Sequence, residues 1–151
     1  MKPTSTLRPL VSATNKDGKD RAQLRAEGPS PDAKRIALLA AEAGLDKKAS
    51  EVEIIDVRGK VDYADYLVLM TGHSDRHVSA IAEGVDHSLG TKNFHSISVE
   101  GLQRGEWVLI DFVDVVVHVF QERTRSLYDL DGLWMDARRV ELPSAPKPET
   151  A

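Results

Sequence analysis

The chain has no cysteine among its 151 residues. That absence removes disulfides, thiolate zinc sites and thiol nucleophiles together, and it fits a cytosolic setting. Long apolar runs are missing too. No stretch approaches the roughly 20 apolar residues that span a bilayer, and the N-terminus lacks the apolar centre of a secretory signal, so a soluble protein is expected. Residues 1–16 contain no acid and several Ser and Thr, which keeps an organellar transit peptide open as the alternative location. No internal repeat is visible, and neither Walker spacing nor an HExxH helix occurs. No cofactor is expected.

What the chain does have is an uneven distribution of charge. Residues 1–30 carry six Lys/Arg against three acids and residues 143–151 carry one of each, so the net −4 of the whole places −7 on residues 31–142. An acidic core is a poor match to DNA or RNA, whose affinity for proteins comes from neutralising phosphates with Lys and Arg. A basic protein surface is the better partner, because complementary charge speeds encounter and suppresses wrong partners.

The length suits one domain with a real hydrophobic core. Residues 1–30 mix Pro, Ser, Thr, Lys and Gly with scattered apolar residues and read as a disordered extension, and residues 143–151 as a flexible tail. The domain occupies 31–142. Ser30 as N-cap with Pro31 and Asp32 predicts a first helix, its inner face marked by Ile36, Leu39, Ala40 and Ala43 and its end by Gly44. Strands are predicted over Val52–Val57, Tyr66–Thr71, Phe94–Val99, Glu106–Asp111 and Val115–Phe120. Ser74 introduces a second helix with Val78, Ile81, Ala82, Val85 and Leu89 on one face, and a closing helix carries Leu127, Leu130 and Trp134. The expectation is an α+β domain with a five-stranded mixed sheet flanked by helices, its last two strands forming a hairpin.

Several residues invite a chemical reading. TGHSDRH (Thr71–His77) is shaped like a phosphate-binding turn, but one Gly without Walker spacing fits a capped helix start better. His73 and His77 lie four apart, as two metal ligands on a helix face would, with no third ligand following; a metal site is not expected. His118 interrupts VVVHVF, which places it in a central strand as a hydrogen-bonded structural group. Asp111 and Asp114 could serve a metal, yet they bracket Phe112–Val113 and suit the shoulders of a turn. A tight turn there favours positive φ, for which a β-branched Val is poorly suited, so the loop is either wider or strained at Val113. Trp107 alternates with Leu109 and Asp111 along one strand face. Either Trp107 and Leu109 form an exposed apolar strip that anchors a partner, or Trp107 packs beneath the closing helix.

Four segments in order, DKKASEVEIIDVRG, ADYLVLMTGHSDRHVSAIA, VEGLQRGEWVLIDFVDVVVHVFQERTRSLYDLDGLW and DARRVEL, resemble the ribosomal silencing factor family, also called Iojap-like. The resemblance runs from about Ala40 to Leu142. It implies a protein that binds the large ribosomal subunit through protein number fourteen, on the face that meets the small subunit, and so blocks subunit joining when nutrients are short. It also implies a cytoplasmic setting in bacteria, organellar ribosomes for organellar relatives, homodimers in several members, and a core similar to nucleotidyltransferases. No D-x-D follows on the expected strand, so the resemblance does not imply catalysis. Carried over by position, the partner-binding residues are Trp107, Leu109, Asp111 and Asp114, with Glu100, Gly101 and His77. Relatives commonly have Gly where Val113 stands, and the extension before residue 31 lies outside the family pattern. Two rivals stay open: a divergent nucleotidyltransferase-like enzyme using Ser74, Asp111 and Asp114 around a metal, and an RNA binder using the basic N-terminal arm.

Overall fold

The computed structural model describes residues 14–28 and 30–142. Its centre is a six-stranded sheet, one strand more than expected, in the order β3-β4-β5-β2-β1-β6. The strands are β1 Ser50–Asp56, β2 Tyr66–Gly72, β3 Ser98–Glu100, β4 Trp107–Asp111, β5 Val115–Gln121 and β6 Arg138–Val140. All neighbours run antiparallel except β2 and β5. The extra strand is β6, which pairs with Ile54–Asp56 at the sheet edge. Three residues, two of them exposed arginines, carry no apolar alternation, which is why β6 escapes a reading by periodicity. β3 also begins later than expected: the Phe94 N–H caps the preceding helix by donating to Leu89 O, 2.9 Å away.

Strand alternation divides the core into two layers. One face of the sheet presents Ile54, Val68, Met70, Val108, Ile110, Val117 and Val119 to helices α2 (Ala33–Asp46) and α3 (Asp75–Thr91). The Ser74 hydroxyl caps α3 by accepting from His77 N at 3.1 Å, and the five apolar positions predicted from spacing are all buried. In α2, Gly44 does not stop the helix, which runs on to Asp46. Its lack of a side chain instead admits Met70, whose Sδ would lie 2.4 Å from any Cβ there. The other face buries Ile55, Leu67, Leu69, Leu109, Val116 and Phe120 with Leu130 and Ala137. Its cover is two short helices, α4 Glu122–Tyr128 and α5 Leu130–Leu133, rather than one. Asp129 takes a left-handed conformation (φ 49°) between them and caps α5, which turns Leu127 outward to 74% exposure instead of inward.

The extension is not unstructured throughout. Residues 1–13 lie outside the described residues, but Arg21–Ala26 form helix α1, with a capping box between Asp20 and Gln23. Six residues cannot hold a helix by themselves. The anchors are two arginines that reach the domain, as described below. Residues 143–151, read as a tail, are also outside the described residues.

Candidate functional site

The residues singled out by sequence fall at two ends of the sheet. Asp111 and Asp114 flank the β4–β5 turn. The Trp107 end of β4 lies four residues away, roughly 13 Å.

At the turn, Asp111 Oδ1 accepts from Val113 N at 2.8 Å, and Phe112 O accepts from Asp114 N at 2.9 Å. The second bond spans only two residues, over a Val113 φ of 73°, so this is a γ-turn of the strained, positive-φ kind. The tight loop is therefore real, and Val113 bears the strain. It has a consequence: the Val113 carbonyl points outward beside the buried Asp111 carboxylate, and Arg21 fills the space. Arg21 Nε donates to Asp111 Oδ2 at 2.9 Å, Nη2 donates to Val113 O and Nη1 to Tyr63 O. Both partners are sequestered, Arg21 at 5% exposure and Asp111 at 0%. Burial pushes the Asp111 carboxyl above its ordinary pKa, with the Arg21 charge pulling the other way. Next to them Arg25 donates to Asp114, to Asp65 and to the Asp62 carbonyl. Burial opposes the Arg25 charge, and its bonds to Asp114 and Asp65 more than offset that. Sequence reading missed Arg21, Arg25, Asp62 and Asp65. The D-x-x-Q of Asp20–Gln23 was the available signal for a helix start.

At the other end, the Trp107 ring packs on Tyr128 (4.7 Å between centroids) and Phe120 (5.5 Å), and its Nε1 donates to His118 Nδ1 at 3.0 Å. Trp107 is half-buried, whereas Leu109 is only 2% exposed within the cluster that includes Leu130 and Tyr63. Of the two readings, the exposed strip of Trp107 and Leu109 is not formed: Leu109 is buried with Leu130 of the closing segment. Glu100 is exposed and pairs with Leu109 across β3 and β4. Gly101 follows at φ 94°, so close to the strand that a Cβ would lie 2.2 Å from Trp107 O. Only Gly fits there. His77 belongs to this end of the domain but is internally engaged: Nδ1 accepts from His73 N at 2.9 Å and Nε2 lies 2.9 Å from Lys47 O. Both ring nitrogens are spoken for. Among the described residues no group of three or more His, Asp or Glu is placed to hold a metal ion. A polar cleft of about 590 Å³ opens at the C-terminal ends of the parallel strands, lined by Ser50, Thr71, His73, Gln121, Arg123 and Ser126 among others.

His118 yields a measurable consequence. Burial, with the Arg125 charge second, lowers its pKa to about 4, so the ring is neutral in the fold. The unfolded chain binds a proton near pH 6.5 that the folded chain refuses. Stability from this group is therefore complete above pH 6.5 and lost as pH falls towards 4, by about 3 kcal/mol. Chemical denaturation of wild type and His118→Gln should show their stability difference changing by that amount between pH 7 and pH 4. A constant difference would contradict the assignment.

Residues 30–151 match the family model described as Ribosomal silencing factor during starvation. The chain belongs to the ribosomal silencing factor family. Ribosomal silencing factor RsfS of Bacillus subtilis (strain 168) is 38% identical over 109 residues, covering 72% of this chain and 92% of that protein. The chloroplastic protein Iojap of Zea mays is 30% identical over 108 residues, 72% of this chain and 47% of its own. A crystal structure of a Chromobacterium violaceum protein superposes with a TM-score of 0.67 at 30% identity, covering 79% of this chain and 98% of that one. The family match begins at residue 30, so α1 with Arg21 and Arg25 stands outside it. No helix among the described residues is long and apolar enough to cross a membrane.

Proposed function

We propose that this family member binds the large ribosomal subunit through protein number fourteen, occupies the face that meets the small subunit, and so represses translation under nutrient limitation. The observation that carries the reading is the family match over residues 30–151. The mechanism is steric: a rigid domain on a joining surface competes with the other subunit for space, and no chemical step is needed. The acidic charge of residues 31–142 suits a basic ribosomal protein. We place the apolar anchor on Trp107, with Leu109 supporting it from within the core, Glu100 and Gly101 beside it, and His77 fixing the neighbouring helix start. Asp111 and Asp114 supply the acidic end of the surface. The setting is the cytoplasm, and the protein is free to pair as a homodimer.

The enzymatic rival has less support. Its trio does not converge: Ser74 follows β2 while Asp114 sits at the opening of that strand, a separation of roughly 20 Å along seven extended residues. Asp111 and Asp114 are each also paired with arginine. Calorimetry decides between the two. Purified protein fourteen is expected to give saturable binding, and nucleoside triphosphate with magnesium no heat. Silence with protein fourteen, or nucleotide heat abolished by Asp111→Asn, would overturn the proposal.

A further inference from the structure

The β4–β5 tip holds two guanidinium groups of its own chain. Three acceptors converge on one guanidinium, Asp111 Oδ2 and Val113 O from the β4–β5 turn and Tyr63 O from the segment before β2. A planar fork of donors matches such a set; the compact ammonium of lysine does not. A second guanidinium position lies beside it, formed by Asp114, Asp65 and the Asp62 carbonyl. The two are filled by Arg21 and Arg25, four residues apart on one face of α1. Beyond the arginines, half-buried Leu24 lines a small cavity with His95, Ser96, Ile97 and Val113. Arg21 is its one buried residue among the six of α1, and the helix is too short to persist undocked. Gly28 and residue 29 then connect it to the domain, and the family match starts only at residue 30.

We infer that the β4–β5 tip binds paired arginines of a basic protein partner, and that the chain's own Arg21 and Arg25 occupy it in cis as a competing latch. The inference rests on the proposed binding to a basic ribosomal protein. The arm carries a net positive charge onto an end of the acidic domain where two buried carboxylates, Asp111 and Asp114, lie beside backbone carbonyls that accept from guanidinium. A partner presenting arginines must displace it. Apparent affinity is then reduced by the fraction of molecules whose tip is open. A tip closed nine times in ten weakens binding about ten-fold.

The test uses the full chain. Because it has no native cysteine, Ala22→Cys on the exposed side of α1 provides a single spin-label position. The label is expected to be immobilised in the free protein and to become mobile when large ribosomal subunits are added. In parallel, the double variant Arg21→Ala/Arg25→Ala is expected to bind the subunits about ten-fold more tightly than wild type, with its sheet still folded by circular dichroism. If both chains bind equally and the label stays immobile on the subunit, the latch is wrong while the functional reading stands. Weaker binding by the double variant likewise sinks the latch, since the arginines then assist the partner. If neither chain binds, the functional reading fails and takes the latch with it.

Discussion

Replacing Trp107 with alanine should weaken association with the large ribosomal subunit about 30-fold, equivalent to about 2 kcal/mol, the usual loss for a central aromatic anchor. The ring is divided between two tasks. It rests on Phe120 and Tyr128 and donates to His118, yet it stays only half-buried and keeps part of its surface open. Truncation therefore removes contact area from both sides, and some folding stability is lost with it, because a cavity opens against Phe120. Trp107→Phe separates the two effects: it keeps most of the apolar surface and loses only the indole donor to His118. Binding should fall strongly in the alanine variant and modestly in the phenylalanine one, with both chains folded by circular dichroism. A folded alanine variant that binds normally would make Trp107 a core residue and nothing more.

Gly101→Ala should cost about 3 kcal/mol or more of stability, which for a domain of this size lowers Tm by at least roughly 10 °C. Two independent penalties meet at this residue. Its φ of 94° is one that an L side chain adopts only under strain, and the added Cβ would fall 2.2 Å from a backbone oxygen, that of Trp107. A flexible side chain could move aside; a carbonyl inside β4 cannot without shifting the strand. The displacement passes straight to Trp107, so partner binding should fall together with Tm. Calorimetric melting checks the first part, and an unchanged Tm would show that the β3–β4 connection relaxes freely.

The fold was legible where periodicity is strong. VVVHVF and YLVLMT announce two buried strands, and both lie at the centre of the sheet, paired in parallel. The stepping of Val78, Ile81, Ala82, Val85 and Leu89 likewise describes the inner face of α3. Weak signals failed for physical reasons. β6 is three residues long and rich in arginine, so it exists only because the edge of β1 is there to pair with it. Closing residues Leu127–Trp134 have helical spacing, but Asp129 breaks them by accepting from the Gly132 N–H across a left-handed backbone.

The candidate site was half legible. Val113 posed a question that sequence could state but not resolve, and the positive φ answers it in favour of a strained tight turn. That Leu109 is covered depends on tertiary packing of the closing segment, which strand alternation does not encode. Arg21 and Arg25 were invisible as functional residues, because their partners Asp111 and Asp114 lie some ninety positions further along the chain. Composition describes a segment's own tendency to order; it says nothing of a distant pocket that orders it.

The most direct test of the central claim is subunit joining followed by light scattering. Purified large and small subunits are mixed with rising amounts of the protein, and the formation of joined ribosomes is recorded. Joining should be inhibited in a saturable way when the protein is added to large subunits first, with the protein sedimenting on the large subunit alone. Undiminished joining at saturating protein, or sedimentation with the small subunit instead, would contradict the account.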